Sequence, residues 1–398
     1  MTPPVEALFV QLAPARARLA AGDERLLRTQ IALSEIAAPT GAESVRAAAV
    51  RQRFDALGLE GVATDGVGNV VGTRAGGGDV APIVVCAHLD TVFPEGTPVG
   101  VARDGHQLCG PGIVDNSRGL AAMLALAEAV DGTRLRTRRP IVFAATVGEE
   151  GAGDLRGAKH LFAGLATLPA ACIALDGAGD DRIVTQALGS RRFRVDFRSD
   201  GGHSWAAFGV PNPVHAAGLV AARLAVLPLP RAPRTTLSVC RIGGGISVNS
   251  IPDHAWLEVD LRSSSASVID QCAEEVRLVV RAAVRDENLR RSPGTRALSC
   301  EISMIGDRPC GAIPADDPLV LAAEAATRAI GRTPEQTLAS TDANVPISLG
   351  VPAIAIGAGG RGGGIHTSGE WYDNTGGPLG VARALTVLVA AAGVERSD

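Results

Sequence analysis

Four segments of the chain are almost continuously apolar. They are APIVVCAH (81–88), PIVFAATV (140–147), ACIALD (171–176) and VPAIAIGA (351–358). Such runs are typical of strands that are buried on both faces, as in a sheet covered by helices. Helically spaced apolar residues occur between them, as in SRGLAAMLALAEAV (117–130), and also over residues 5–60 with a break at PTGAES (39–44). The alternation predicts an α/β fold with a mostly parallel sheet sandwiched between helices.

Residues 187–302 follow a different pattern. RRFRVDFRS (191–199) alternates polar and apolar residues, which predicts a strand with one exposed face. The segments that follow predict a helix at 211–227, strands at 235–242 and 255–263, a helix at 267–284 and a strand at 297–305. This β-α-β-β-α-β order is typical of a ferredoxin-like unit. We therefore expect an inserted domain at 187–302 within a domain formed by residues 1–186 and 303–398.

Composition and charge narrow the classes of partner. The chain has 398 residues, a net charge of −4 and no basic stripe, which argues against a nucleic-acid partner. Its seven cysteines are scattered without a CxxC pair, so neither a disulfide framework nor a thiolate zinc site is expected. The start of the chain does not look like a signal peptide, and no apolar run approaches the ~20 residues that span a bilayer. We therefore expect a cytoplasmic protein without a membrane partner.

Polar residues that can bind metals occur where the predicted strands end. The candidates are His88, Asp90, Asp115, Glu149, Glu150, Asp176 and His366. In an open α/β sheet, ligands bind outside the carboxyl ends of the strands. Taken singly, His88 could be a core histidine and Asp115 could cap the helix that follows it. Taken together, two histidines and several carboxylates suit zinc, manganese or cobalt.

The chemistry of such a site suggests a role for each side chain. A histidine that binds a metal usually donates its other ring nitrogen to a carboxylate, and Asp90 lies two residues after His88 on the same side of an extended chain. Asp115 is the acid of its loop and could bridge two cations with its two oxygens. Glu150 would bind one cation. Glu149 would be the general base that takes the proton from a bridging water.

Several motifs, in this order, resemble a known zinc family. They are HLDTVFPEG, GPGIVDNSRG, VGEEGAGDLRG, ALDG, GGHS, SVNSIPD, VDLR, STDAN and GIHT, and they extend from about residue 30 to 390. The family of zinc-dependent metallopeptidases and amidohydrolases contains glutamate carboxypeptidase, peptidase T, acetylornithine deacetylase and succinyl-diaminopimelate desuccinylase. GGHSWAAFGVPNP and EEGAGDLRGAKH are most similar to peptidase T-like members.

The resemblance implies two zinc ions per chain, with cobalt or manganese as alternatives. It assigns His88 and Asp176 to one ion, Glu150 and His366 to the other, and Asp115 to both. It also implies a cis peptide bond between Asp115 and Asn116, which is not a proline bond. In the same way it makes Asp90 the residue that orients His88, and Glu149 the general base.

The inserted domain would be the family's lid and dimerisation domain, which implies a homodimer. His203 matches a histidine that reaches the partner's active site and stabilises the oxyanion. Asn249 and Arg262 match positions that bind the carboxylate or backbone of the substrate, and a guanidinium suits a carboxylate because it can donate two parallel hydrogen bonds. Taken alone, His203 could be structural and Arg262 an exposed strand charge.

The expected function is hydrolysis of an amide bond in a small peptide or an N-acyl amino acid, by attack of a metal-bridging water with Glu149 as base. Whether the enzyme is a tripeptide-type aminopeptidase or a deacylase or carboxypeptidase stays open. A nucleotide-binding enzyme is a weaker alternative, because GPG (110–112) precedes a helix but no P-loop lysine follows. A metal-free scaffold protein on this fold is disfavoured by the complete set of ligands.

Overall fold

The computed structural model describes residues 4–132 and 136–395. The chain forms two compact units, Met1–Ala187 with Ala312–Asp398 (unit 1) and Leu188–Gly311 (unit 2). The last strand of unit 2 continues to Arg308, because its residues stay paired with the strand beside it. Unit 2 therefore ends at Gly311 and not at the predicted residue 302.

The strands are short, and most belong to unit 1. They are β1 (Glu60–Thr64), β2 (Val70–Arg74), β3 (Ile83–His88), β4 (Ala102–Asp104), β5 (Gln107–Cys109), β6 (Ile141–Thr146), β7 (Ala171–Leu175), β8 (Arg182–Ala187), β9 (Gly189–Arg198), β10 (Gly202–His203), β11 (Thr236–Gly244), β12 (Ser250–Ile251), β13 (His254–Ser263), β14 (Ser299–Arg308), β15 (Gly311–Ala312), β16 (Glu335–Ala339), β17 (Ala353–Ile356), β18 (Arg361–Gly363) and β19 (Trp371–Asp373).

The helices occur between the strands along most of the chain. They are α1 (Val5–Gln11), α2 (Ala13–Ala21), α3 (Asp23–Ser34), α4 (Ser44–Ala56), α5 (Ser117–Gly132), α6 (Arg156–Gly164), α7 (Pro213–Ala225), α8 (Ala266–Asn288), α9 (Pro318–Ala329), α10 (Asn344–Ser348) and α11 (Gly377–Ala392). Among the described residues, none of these helices has the length and apolarity required to cross a bilayer.

The main sheet of unit 1 has the strand order β1-β2-β6-β3-β7-β17-β8-β15, with β16 paired to β8. Its centre is parallel, since β3 pairs in parallel with β6 and β7, and β7 with β17. These are the four strands that the apolar runs predicted, so the α/β prediction is confirmed. The outer strands β1, β2, β8 and β16 were not predicted, because each is partly exposed and none has a continuous apolar run.

Both faces of the central strands are buried, which explains their continuous apolar sequence. Along β3, Ile83 and Val85 belong to one buried cluster and Val84 and Cys86 to another. Helices α5 and α11 contribute to the first cluster, and α6 and α10 contribute to the second. Because β3, β6 and β7 are parallel, their carboxyl ends meet at one edge of the sheet.

A second, smaller sheet in unit 1 has the order β18-β19-β5-β4. Its pairing of β19 with β5 places Trp371 opposite Cys109. The glycine-rich segment 357–370 is thereby brought beside the loop at 110–116, although the two are far apart in sequence.

Unit 2 contains the antiparallel sheet β11-β13-β9-β14. Helices α7 and α8 pack on one face, against Phe193, Val195 and Phe197. The other face is polar, which explains the alternating sequence of β9. The observed order of these strands and helices is the predicted β-α-β-β-α-β order, with the short strands β10 and β12 added.

Candidate metal centre

Side chains that can bind cations come together at the carboxyl edge of the main sheet. Their ligand atoms form three overlapping groups, and within each group all atoms lie within 4.8 Å of one another. The groups are His88 with Glu149 and Glu150, His88 with Asp115 and Asp176, and Asp115 with Glu150 and His366. The structure therefore gathers the six predicted candidates other than Asp90 at one place.

Asp115 lies between the two histidines. Its Oδ1 is 2.9 Å from Nε2 of His88, and its Oδ2 is 3.1 Å from Nε2 of His366. Nε2 of His366 is also 2.8 Å from Oε1 of Glu150. Each oxygen of Asp115 thus faces a different histidine, which is the arrangement required of a ligand shared by two cations.

The local backbone explains how the ligands are presented. His88 ends β3, and Asp176 follows β7 directly. After β6 the chain turns at Gly148, whose positive φ of 62° suits glycine, and then presents Glu149 and Glu150. The peptide bond between Asp115 and Asn116 is cis, as the resemblance implied.

The carboxylate of Asp90 lies beside His88, as predicted, and it also holds the backbone of the two glutamates. Its carboxylate accepts hydrogen bonds of 2.9 Å from the main-chain N–H groups of both Glu149 and Glu150, and one of 2.8 Å from the hydroxyl of Thr40. Nδ1 of His88 is 3.1 Å from the main-chain oxygen of Asp90 and 3.6 Å from its carboxylate. The carboxylate therefore holds the Glu149–Glu150 backbone, and the closest contact to His88 comes from the main-chain carbonyl.

Burial and mutual repulsion shift the pKa values of the acidic side chains in this cluster. Burial, followed by the negative charge of Asp115, raises the pKa of Asp176 to about 7. Burial also raises the pKa of Glu150. The pKa of Asp115 is lowered, because hydrogen bonds and charge from His366 and His88 outweigh its burial. Contact with Asp115 raises the pKa of His366 to about 9. The cluster thus has more negative charge than its own side chains can neutralise.

The donor set fits two divalent cations. Oδ1 of Asp115 is buried and accepts no hydrogen bond from the described residues, although Nε2 of His88 lies 2.9 Å away. Buried carboxylates of this kind are stable only beside compensating positive charge. Carboxylate oxygens and imidazole nitrogens are ligands that zinc, cobalt and manganese accept.

Glu370 was not identified from the sequence, yet it supports this site. Its side chain is fully buried and accepts hydrogen bonds from the main-chain N–H groups of Gly112, Val114 and Asp115. The signal available in the sequence was its position four residues after His366 in the same glycine-rich segment. An acid in such a loop is usually exposed, so the sequence alone did not single it out.

The sequence predicted no role for Asn116 beyond its cis peptide bond with Asp115. Its Oδ1 accepts hydrogen bonds of 3.1 Å from the N–H groups of Gly119 and Gly177, and its Nδ2 donates to the carbonyl of Leu175 at 2.8 Å. Asn116 therefore connects the start of α5 to the end of β7, beside Asp176.

Two further buried side chains hold the backbone at this edge of the sheet. Arg46 donates to the carbonyl of Leu89 at 2.8 Å, between His88 and Asp90. Glu43 accepts from the N–H of Gly148 at 3.0 Å and pairs with Arg156. The sequence did not indicate either role, because both residues lie far from the ligands along the chain.

The remaining candidates lie in unit 2. His203 lies on β10. The N–H of Ser204 donates to the carbonyl of Asn249 at 2.9 Å, so His203 and Asn249 occupy adjoining segments. Arg262 lies on the polar sheet face, where its Nε donates to Asp260 at 2.6 Å. This ion pair is consistent with Arg262 being an exposed charge on a strand. Its contact with substrate stays a prediction.

Comparison with known protein families gives one match. The model described as Peptidase family M20/M25/M40 matches residues 84–391, a range that contains all ten candidate site residues. Among curated proteins, a search finds no match.

Solved structures show the same fold. Aminopeptidase PepT from Bacillus cereus is 23% identical, with a TM-score of 0.71 over 93% of this chain and 98% of that one. A tripeptidase from Staphylococcus aureus is 23% identical, with a TM-score of 0.72 over the same shares. YXEP from Bacillus subtilis, described as a dinuclear metal binding peptidase from the M20 family, is 18% identical, with a TM-score of 0.66 over 94% of this chain and 98% of that one.

Proposed function

Because this chain belongs to peptidase family M20/M25/M40, and is therefore a hydrolase, we propose that it cleaves an amide bond in small peptides or N-acyl amino acids with two bound cations. One observation carries the proposal. Each oxygen of Asp115, whose side chain is 13% exposed, faces a different histidine, within a cluster of carboxylates that needs compensating charge.

The ligand groups suggest how the cations would be held. His88 and Asp176 would hold one, Glu150 and His366 the other, and Asp115 would contribute to both. When bound, two such cations polarise the scissile carbonyl and lower the pKa of the attacking water. Zinc is our first choice, with cobalt and manganese as alternatives that the same ligands accept.

Glu149 is the general base of this proposal. It is buried, and its main chain is held by the carboxylate of Asp90. Its carboxylate lies within 4.8 Å of the ligand atoms of His88 and Glu150. From that position it takes the proton of the attacking water and later passes it to the leaving nitrogen.

Unit 2 would supply the contacts with substrate. His203 stabilises the oxyanion in the active site of a partner chain, which requires a homodimer formed through unit 2. Asn249 and Arg262 bind the carboxylate or backbone of the substrate. A cytoplasmic location is part of the proposal and is supported by the seven cysteines, none of which forms a disulfide bond.

The substrate remains a choice between two classes. Likeness to structures described as an aminopeptidase and a tripeptidase favours short peptides. Carboxylate capture by Arg262 favours a carboxypeptidase or an N-acyl amino acid deacylase. Assays with di- and tripeptides blocked at either terminus, beside N-acyl amino acids, distinguish these classes.

Replacement of Glu149 by Gln tests the proposal most directly. We expect kcat to fall by about 10²–10⁴-fold, the usual contribution of general base catalysis, while the protein still binds two cations. Metal analysis by mass spectrometry and steady-state assays measure the two quantities. The exposed Glu95→Gln substitution is the matched control. A Glu149→Gln variant with normal turnover would refute the base assignment, and one that binds a single cation would make Glu149 a ligand instead.

A further inference from the structure

Glu370 makes an unusual set of hydrogen bonds for a loop carboxylate. It is 0% exposed, and both its oxygens accept from main-chain N–H groups. Oε2 accepts from Gly112 at 3.0 Å, and Oε1 accepts from Val114 at 2.7 Å and from Asp115 at 2.9 Å. One side chain therefore fixes the backbone of the loop that carries the shared ligand.

The main chain of Glu370 is tied to the same loop. Its carbonyl accepts from the N–H of Gly110 at 3.0 Å, and the next residue, Trp371, pairs with Cys109. Its own N–H donates to the carbonyl of Thr367, directly after His366. Two ligands that are 251 positions apart along the chain, Asp115 and His366, are thereby connected through a single residue.

We propose that Glu370 is a positioning residue for the two cations: by holding residues 112–115 against the segment of His366, it sets the separation of Asp115 and His366 and thus the cation affinity. This inference rests on the proposed function, because it requires that these residues bind cations. Residues that orient metal ligands commonly change metal affinity by ~10–100-fold when they are replaced.

The chemistry of the contact predicts a graded series of variants. In Glu370→Gln, one oxygen can still accept from Val114 and Asp115, but the amide N–H₂ group faces the N–H of Gly112, donor against donor. In Glu370→Ala, all three buried N–H groups lose their acceptor. The affinity for cations should therefore decrease from the natural protein to the Gln variant and further to the Ala variant.

Two measurements on the metal-free full chain test this inference. Titration of Zn²⁺ by calorimetry gives affinity and stoichiometry, and titration of Co²⁺ gives the visible absorption of the bound ions. We expect Glu370→Gln to weaken at least one site by ~10–100-fold and to change the Co²⁺ spectrum. Circular dichroism confirms that each variant is folded, and the Gln variant keeps the test valid if the Ala variant does not fold.

Glu335→Gln is the matched control, because Glu335 is exposed on β16 and its replacement removes the same charge. It should leave affinity and spectrum unchanged. A purely structural role for Glu370 would lower the melting temperature without changing the Co²⁺ spectrum or the affinity, and that result would overturn the inference. If the natural protein itself does not bind two cations, that result contradicts the proposed function as well as the role of Glu370.

Discussion

Two regions of the molecule are rich in charged side chains, and they differ in how the charges are balanced. The candidate metal centre of unit 1 combines four carboxylates with two histidines, and three of these six groups are buried. The charged face of unit 2, defined as Arg192, Arg194, Asp196, Glu258, Asp260 and Arg262, pairs each acid with an arginine within 3.0 Å. Its side chains are 15–38% exposed.

The comparison shows that charge density alone does not identify a site. Each balanced, partly exposed ion pair contributes only ~0–1 kcal/mol to the free energy of unfolding, and such pairs need no added cation. Burial, followed by the charge of the neighbouring carboxylate of Asp115, raises the pKa of Asp176, and carboxylates in excess of their partners require a cation for stability. Excess negative charge under burial is therefore the feature that separates the two regions.

The largest expected effect concerns the shared ligand. Replacement of Asp115 by Ala should abolish binding of both cations and hydrolysis, because each ion loses a ligand. Metal analysis and an amide-hydrolysis assay measure this. Asp260→Ala on the charged face of unit 2 is the control and should leave two cations bound. An Asp115→Ala variant that retains two ions would contradict the bridging role.

Removal of the cations should have the next largest effect. A cation that binds only the folded chain at 100 times its Kd contributes ~2.7 kcal/mol to the free energy of unfolding. Chelation should therefore decrease hydrogen-exchange protection in β3, β6 and β7, and leave β9 and β13 unchanged. Equal losses in both sets of strands would mean that the charged face of unit 2 also depends on cations.

Arg262 tests whether the charged face of unit 2 has a second role. If Arg262 binds a substrate carboxylate, its replacement by Ala removes charge-assisted hydrogen bonds worth ~1.5–3 kcal/mol, so kcat/KM should fall by ~10–100-fold. The loss should occur only for substrates with a free carboxylate. Arg192→Ala is the matched control, since Arg192 pairs with the same Asp260. Equal effects of both variants would assign Arg262 a structural role alone.

The smallest expected effect is the response of unit 2 to acid. Burial acts to raise the pKa of Asp260, but hydrogen bonds from Arg262 and Arg192 outweigh it and lower that pKa. The resulting stabilisation is present above the ordinary aspartate pKa of ~3.9 and is lost as the pH falls through the lowered value. The free energies of unfolding in urea of the natural protein and of Asp260→Asn should differ by up to ~1 kcal/mol at pH 7, and the difference should shrink as the pH falls below ~3.9. A difference that does not change with pH would contradict this origin.

The sequence was sufficient for the features that depend on local pattern. Continuous apolar runs predicted the four central strands, because a strand buried on both faces needs no polar residues. The alternation in β9 predicted a half-exposed sheet, and the polar residues at the ends of β3, β6 and β7 predicted a cluster of candidate ligands, which the structure brings together. The edge strands β1 and β16 were missed, because short and partly exposed strands have no such pattern.

Only the tertiary structure decided how the ligands are held. The residues that fix their backbone, Glu370, Asn116 and Arg46, act through main-chain hydrogen bonds to segments up to 258 positions away, and such bonds leave no periodic signal in a sequence. The same holds for Asp90, whose carboxylate binds the N–H groups of Glu149 and Glu150. Residue types and strand ends thus determined which groups are present, whereas the pairing of distant segments determined their separation, because distance is a property of the folded chain alone.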